Sequence, residues 1–246
     1  VESWMVAAQK ENDLTKPTIY VHCWRGGMRS AAVAWLLDLY GYKVIQLTGG
    51  YKAYRNWVLE QFTMTYSLKV VGGYTGSGKT EILHALQEKN YAVIDLEGIA
   101  HHKGSAFGAI GQLPQPSQEM FENILAEKLF EVNKNNKPIW IEDESQRIGT
   151  VLIPTPLFHL MRNSTCYFMT IPFEQRLLFI LEAYGKFDAQ SLIEATERIQ
   201  KRLGGLETKN AVAHIKQGEL KEAFSILLKY YDKMYLKNLE TAAIPK

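Results

Sequence analysis

The sequence predicts an α/β protein with a mostly parallel sheet and a helical C-terminal region. Three observations carry that expectation. Apolar strand-like runs alternate with helical patterns, as in parallel sheets built with crossover helices. Residues Gly73 to Thr80 fit G-x-x-x-x-G-K-T, directly after one apolar run and before one helical pattern. A second strand–loop–helix passage lies upstream, at Cys23-Trp24-Arg25-Gly26-Gly27-Met28-Arg29-Ser30.

In chain order, residues 4–10 have the pattern of a helix end and Glu11-Asn12-Asp13 of a polar break. Pro17 to His22 reads as a buried strand, Ala31 to Leu37 as a helix that Gly41 stops, and Tyr42 to Leu47 as a second strand. Thr48-Gly49-Gly50 is a turn before an amphipathic helix over Tyr51 to Phe62. Residues 63–67 form a polar joint, which divides the chain into a region at 1–62 and a larger one at 67–246. In the larger region strands are expected at 68–72, 91–96, 138–142 and 165–171, and helices at 79–89, 117–135, 156–162 and 173–184. Ser117 is placed to cap the second of these helices. The stretch 206–240 reads as a helical, amphipathic tail with Tyr230, Tyr231 and Tyr235 near one side, as packing first and RNA stacking second.

Length and composition bound the function. The 246 residues can hold one large domain or two modest ones. A hydrophobic share of 46% and a charged share of 22% are ordinary for a globular chain. A net charge of +2 permits an RNA partner without requiring one. No apolar run reaches the roughly eighteen residues of a membrane span. Two cysteines, Cys23 and Cys166, are too few for a disulfide scaffold and fit a reducing, cytoplasmic setting. The chain opens on Val1 rather than Met, which suggests a cut edge.

The glycines of the Gly73–Thr80 loop let the backbone curl so that successive N–H groups point inward and make an anion nest. Gly73, Gly76, Ser77, Gly78, Lys79 and Thr80 are the expected phosphate-binding set. The helix that begins at Lys79 adds its positive dipole end. Lys79 supplies a mobile point charge to the outer phosphates, and the Thr80 hydroxyl can ligate Mg²⁺. The loop therefore asks for a diphosphate or triphosphate but does not say which molecule carries it. Strand 138–142 ends in Glu142-Asp143-Glu144, an apolar-then-acidic order in which a carboxylate can hold the metal. Asp143 is the expected metal partner, because strand alternation sends its neighbours to the other face. Arg147, just beyond, is the expected cation for a leaving phosphate. Between the strands, His101-His102-Lys103-Gly104-Ser105-Ala106-Phe107-Gly108 reads as a substrate-contacting loop. Gly104 and Ser105 would allow close backbone approach, and Phe107 would offer a stacking face. Arg162, Arg176, Arg198, Lys201 and Arg202 are lid or RNA contacts in part and solvated faces in part, with Arg202-Leu203-Gly204-Gly205 ending a long helix.

The upstream loop puts Cys23 at a strand end with a helix start behind it. Backbone donors, the helix dipole and Arg25 or Arg29 should depress the thiol pKa and make Cys23 a nucleophile or a chalcogen carrier. Cys23-x5-Arg29-Ser30 matches the cysteine phosphatase signature C-x5-R-S/T, and it also resembles the rhodanese loop, whose cysteine carries sulfane sulfur. Gly41-Tyr42-Lys43-Val44, then Leu47-Thr48-Gly49-Gly50 and Trp57, resemble the closing strand and helix of the rhodanese fold. On that likeness residues 1–62 are the C-terminal half of a rhodanese-like domain, followed by a P-loop NTPase-like domain.

Taken together with Asp95-Leu96-Glu97, His102 to Gly108 and Glu142 to Gly149, the two loops resemble the tRNA 2-selenouridine synthase family over nearly the whole chain. The resemblance implies a transferase that acts on the wobble 2-thiouridine of tRNA. It first geranylates sulfur from geranyl diphosphate and then replaces the geranylated sulfur with selenium from selenophosphate. It assigns the phosphate loop, with Mg²⁺ and Arg147, to the departing diphosphate. It assigns Cys23 to the selenium step, as carrier or as activator. The alternatives are a P-loop NTPase or kinase with a rhodanese sulfur-transfer module, a cysteine phosphatase with an accessory domain, and a non-catalytic RNA-binding module.

Overall fold

The structure, a computed structural model, describes residues 17–135 and 137–242. The helix end expected at 4–10 and the polar break at 11–13 lie outside them. The chain divides into two compact units after Gln61.

The first unit contains a parallel β–α–β turn: β1 (Thr18–Val21), α1 (Met28–Leu39) and β2 (Lys43–Gln46), followed by α2 (Gly50–Gln61). Strands β1 and β2 pair in parallel from Thr18↔Lys43 to Val21↔Gln46. Gly41, at φ +76°, follows α1 where a stop was expected. The expectation of a buried first strand is corrected. Along β1, exposed positions alternate with half-buried ones, and Tyr20 is 74% exposed. A sheet of only two strands, all that the described residues of this unit form, leaves much of a strand uncovered.

The second unit holds a four-stranded, fully parallel sheet in the order β4-β5-β3-β8, with β3 at Leu68–Gly73, β4 at Ala92–Ile94, β5 at Ile139–Glu142 and β8 at Thr165–Met169. The chain passes from β3 over to β4, returns to β5 beside β3, and later adds β8 on the far side of β3. The switch in direction at β3 opens a crevice at its carboxyl end, where ligands bind in open α/β sheets. Crossovers run through α3 (Lys79–Glu88), α4 (Leu96–Ala100), α5 (Gln118–Val132) and α6 (Thr155–Arg162). The core against the sheet is fully buried at Leu83, Ile94, Phe121, Leu125, Ile139, Ile141 and Leu157. Ser117 does cap α5, its hydroxyl accepting from the Met120 amide at 3.2 Å. A short antiparallel hairpin, β6 (Arg147–Ile148) with β7 (Val151–Leu152), turns at Gly149 with φ +61°.

The C-terminal region is helical, as expected, but more divided. It comprises α7 (Phe173–Tyr184), α8 (Ala189–Arg198), α9 (Gln200–Leu203), α10 (Gly205–Gln217) and α11 (Leu220–Ala242). Arg202 to Gly205 does not end one long helix. The ladder breaks at Ile199, and Gly204, at φ +99°, joins two separate helices. The expected single tail is likewise split by Gly218, left-handed at φ +78°. These helices share an apolar core of Leu177, Leu192, Ala211, Ile215, Phe224 and Leu227.

Candidate functional site

The loop after β3 has the shape its glycines allow. Gly76 and Gly78 are left-handed, with φ +77° and +74°. A Cβ on Gly76 would stand 2.9 Å from Ile180 and 3.0 Å from the Arg176 carbonyl, so the loop lies directly against α7. The Ser77 amide and hydroxyl both donate to the Tyr74 carbonyl, at 3.2 and 2.7 Å. Lys79 curls back over the loop, its ammonium 3.4 Å from the Gly73 carbonyl. Thr80, one residue into α3, donates its hydroxyl to Glu97 at 3.2 Å. The Glu97 amide in turn donates to Glu142 at 2.7 Å.

Glu97 and Glu142 thus stand behind Thr80, from the ends of β4 and β5. Burial, reinforced by Glu144, pushes the Glu97 carboxyl up to about 8, against the pull of Lys79. Burial and the charge of Glu97 push Glu142 well above the usual carboxylate range. Burial also raises Glu144, against the pull of Lys79. Glu142 Oε2 is buried with no hydrogen-bond partner. An all-oxygen set with an orphaned buried carboxyl oxygen, gathered around a hydroxyl at a helix start, fits Mg²⁺. Among the described residues no group of three or more His, Cys, Asp or Glu side chains could hold a metal by itself.

Asp143, the expected metal partner, is otherwise engaged. Arg162 pairs with one carboxylate oxygen, and the Tyr235 hydroxyl donates to the other at 2.6 Å. The carboxylate joined to Thr80 is that of Glu97, named in the sequence only as part of an acidic strand end. Strand alternation pointed to the acid after β5, whereas the acid bonded to Thr80 follows β4. Arg147 lies exposed at the start of β6, opposite Leu152. The arginine that touches the loop is Arg176, 4% exposed, which donates to the Thr75 carbonyl at 3.1 Å. Nothing in the spacing set Arg176 apart from the other basic residues.

The 101–108 loop is anchored from below. Gly104 passes so close to Glu144 that a Cβ would stand 2.6 Å from Oε2, which brings this loop to the acidic cluster. The Ser105 hydroxyl accepts from the Phe107 amide at 3.2 Å. The Ala106 amide donates to the Tyr231 hydroxyl at 3.2 Å, and Arg198 donates to the Ala106 carbonyl at 3.0 Å. Phe107 does not offer a stacking face. It is 4% exposed, with its ring edge-on to Tyr184 and Phe224, because the helical core gains more from that ring than solvent would. Tyr231 and Tyr235 are packing and hydrogen-bonding residues, while Tyr230 stacks edge-on against Tyr231.

In the first unit the Cys23 loop is folded tightly. Gly26, at φ +64°, leaves room for no Cβ, since one would stand 2.6 Å from the Gly50 amide nitrogen. The Tyr51 and Lys52 amides, at the start of α2, donate to the Cys23 and Trp24 carbonyls at 2.9 Å each. The half-buried Cys23 sulfur lies 3.2 Å from the Ser30 hydroxyl. That hydrogen bond, with help from the Ser30, Arg25 and Gly27 amides, draws the thiol down to about 6. Gln46 fixes Ser30 by donating to its oxygen at 2.8 Å, and the Ser30 hydroxyl also reaches the Gly27 carbonyl at 3.0 Å. A hydroxyl has one proton, so the Gly27 carbonyl holds it beside a thiol and the sulfur takes it as a thiolate. Arg25 and Arg29 are both exposed on this loop.

The model of the tRNA 2-selenouridine synthase AAA domain matches residues 66–244. The chain belongs to the tRNA 2-selenouridine synthase family. A tRNA 2-selenouridine synthase of Nitrosomonas europaea is 40% identical over 68% of this chain and 44% of its own length. One of Hydrogenovibrio crunogenus is 35% identical over 89% of this chain and 68% of its own length. One of Pseudomonas syringae is 34% identical over 99% of this chain and 73% of its own length. No solved structure matches. Among the described residues no helix is long and apolar enough to cross a membrane. The matched region takes in the phosphate loop, the acids behind Thr80, Arg176 and all of α7 to α11.

Proposed function

We propose that the chain is a tRNA-modifying transferase that works in two steps on a wobble 2-thiouridine. In the first, the 2-thio sulfur attacks C1 of geranyl diphosphate, the C–O bond breaks, and diphosphate leaves with both bonding electrons. The Gly73–Thr80 amides and Lys79 receive that charge, which is the electrostatic task of any preorganised oxyanion site. Mg²⁺, held through Thr80 with Glu97 behind it, would add Lewis-acid neutralisation of the leaving group. Lys79 exchanges its Gly73 carbonyl for phosphate oxygen as the anion enters. In the second step the selenium of selenophosphate attacks C2, geranyl thiolate leaves with the C–S bonding electrons, and water cleaves the P–Se bond to release phosphate; Cys23, poised as a thiolate, serves that step. The wobble base sits in a single-stranded loop and can be splayed into a site. On this reading the first unit is a rhodanese-type module and the protein works in the cytoplasm.

The observation that carries the proposal is the family match over residues 66–244, laid on a phosphate loop already joined through Thr80 and Glu97 to Glu142. The test is binding and turnover with geranyl diphosphate beside ATP and GTP. Geranyl diphosphate should bind and its geranyl group should move to 2-thiouridine tRNA. Tight nucleotide binding with hydrolysis, and no binding of geranyl diphosphate, would favour a P-loop NTPase or kinase instead.

A further inference from the structure

An anion nest has a second requirement besides its inward N–H groups. When the amides of a loop turn toward the ligand, its carbonyls turn outward, and each outward carbonyl that is buried needs a donor. In the Gly73–Thr80 loop the Tyr74 carbonyl takes donors from Ser77, and the Gly73 carbonyl takes Lys79. The Thr75 carbonyl takes Arg176 Nη1 at 3.1 Å. Arg176 is held on every side. Its Nε donates to the Ile171 carbonyl at 3.1 Å, and its fork grips Asp232 of α11 through two bonds of 2.7 Å. Its guanidinium lies 5.0 Å from the centre of the Tyr74 ring, and Phe168 and Tyr235 pack on that ring at 5.4 and 5.3 Å. Its own carbonyl stands against Gly76.

We propose that Arg176, oriented by Asp232, is a positioning residue that sets the curl of the phosphate loop from behind, so that α11 governs how tightly the loop grips a diphosphate. This deepens the reading of the loop as a diphosphate cradle and rests on it. Arg176 touches no substrate. It fixes the Thr75 peptide with its carbonyl outward, so the amides that face the anion are already aimed before it arrives. A lysine cannot replace it, since one ammonium cannot reach Thr75, Ile171 and both oxygens of Asp232 in the same plane. Arg176 is buried and Asp232 half-buried, so removing Asp232 leaves the guanidinium without its counter-charge and freer to swing off the loop.

The experiment uses the full chain and two variants, Asp232→Asn and Arg176→Lys, each first shown to be folded by circular dichroism. Inorganic pyrophosphate with Mg²⁺ is titrated by calorimetry, tRNA affinity is measured by filter binding, and amide hydrogen exchange is followed across residues 74–78 without ligand. The proposal expects pyrophosphate affinity to fall about tenfold in both variants, the range of a coupled pair. Exchange should rise within 74–78, and tRNA affinity should stay as in the wild type. The swap Arg176→Asp with Asp232→Arg should restore thermal stability but not pyrophosphate affinity, because the donor to Thr75 is then on the wrong helix. Unchanged exchange over 74–78, or recovery of pyrophosphate affinity in the swap, would overturn the proposal. Failure of the wild type to bind pyrophosphate would instead defeat the diphosphate reading, while the exchange measurement still decides whether Arg176 shapes the loop.

Discussion

The loops after β1 and β3 share one plan, a parallel strand, a glycine-bearing turn and a helix start, yet they treat charge in opposite ways. Around Cys23, a hydroxyl and several amides converge on one half-buried sulfur, and the anion is favoured at neutral pH. Behind Thr80, the buried Glu142 and the half-buried Glu97 and Glu144 come together, and the anion is disfavoured until a cation comes. The first loop is charged and ready for an electrophile. The second is held near neutrality and ready for a multivalent anion with its metal. Backbone shape is therefore shared between them, and chemistry is set by what the neighbouring elements bring up from behind.

Lys79→Ala should break the comparison most severely. Removing the only lysine of the phosphate loop should cut geranyl transfer about a thousandfold, the loss expected of a principal oxyanion donor. Alkylation of Cys23 should be unaffected by the same change. A smaller effect belongs to the first loop. Iodoacetamide labelling of Cys23 should rise with pH around a midpoint near 6 in the folded protein. Ser30→Ala removes the largest cause of that depression, so the midpoint should move up and labelling at pH 6 should fall about fivefold for the first unit moved and about tenfold for each further one. Labelling that follows an ordinary thiol profile in the wild type would remove the contrast. The smallest effect concerns the acids. Because burial raises the Glu97 carboxyl, the native state holds a proton that the unfolded chain releases, so stability falls as pH climbs from the ordinary carboxylate range toward about 8. Glu97→Gln should lift that burden. Without Mg²⁺, its melting temperature should exceed the wild type's by about 2–4 °C near pH 8 and show no gain near pH 4.

Much of this was legible in the sequence because local signals and tertiary demands agree. Residues Val70 to Thr80 form a strand, a turn and a helix whose glycines are needed where they stand, and Ser117 caps the helix it precedes. What was not legible depends on which element lies beside which. Arg176 looks like any surface arginine of an amphipathic helix until Asp232 is brought across from α11. Phe107 sits among small and polar residues, the setting of a binding loop, and only the helical core explains its burial. Glu97 and Asp143 both follow strands, and only the assembled fold shows that Arg162 and Tyr235 take up Asp143 while Glu97 accepts from Thr80. Gly204 was legible as a helix stop and is one, whereas Gly218 carries the same signal but the apolar periodicity on either side runs through it, and Ile199 carries no stop signal at all.

The most direct test is mass spectrometry of wobble nucleosides from 2-thiouridine tRNA treated with geranyl diphosphate and selenophosphate, using the wild type, Lys79→Ala and Cys23→Ser. Two loops with separate duties predict selenouridine from the wild type, unchanged 2-thiouridine from Lys79→Ala, and geranylated thiouridine building up with Cys23→Ser. A folded Cys23→Ser that forms no geranylated nucleoside, or a Lys79→Ala that forms it freely, would contradict that division.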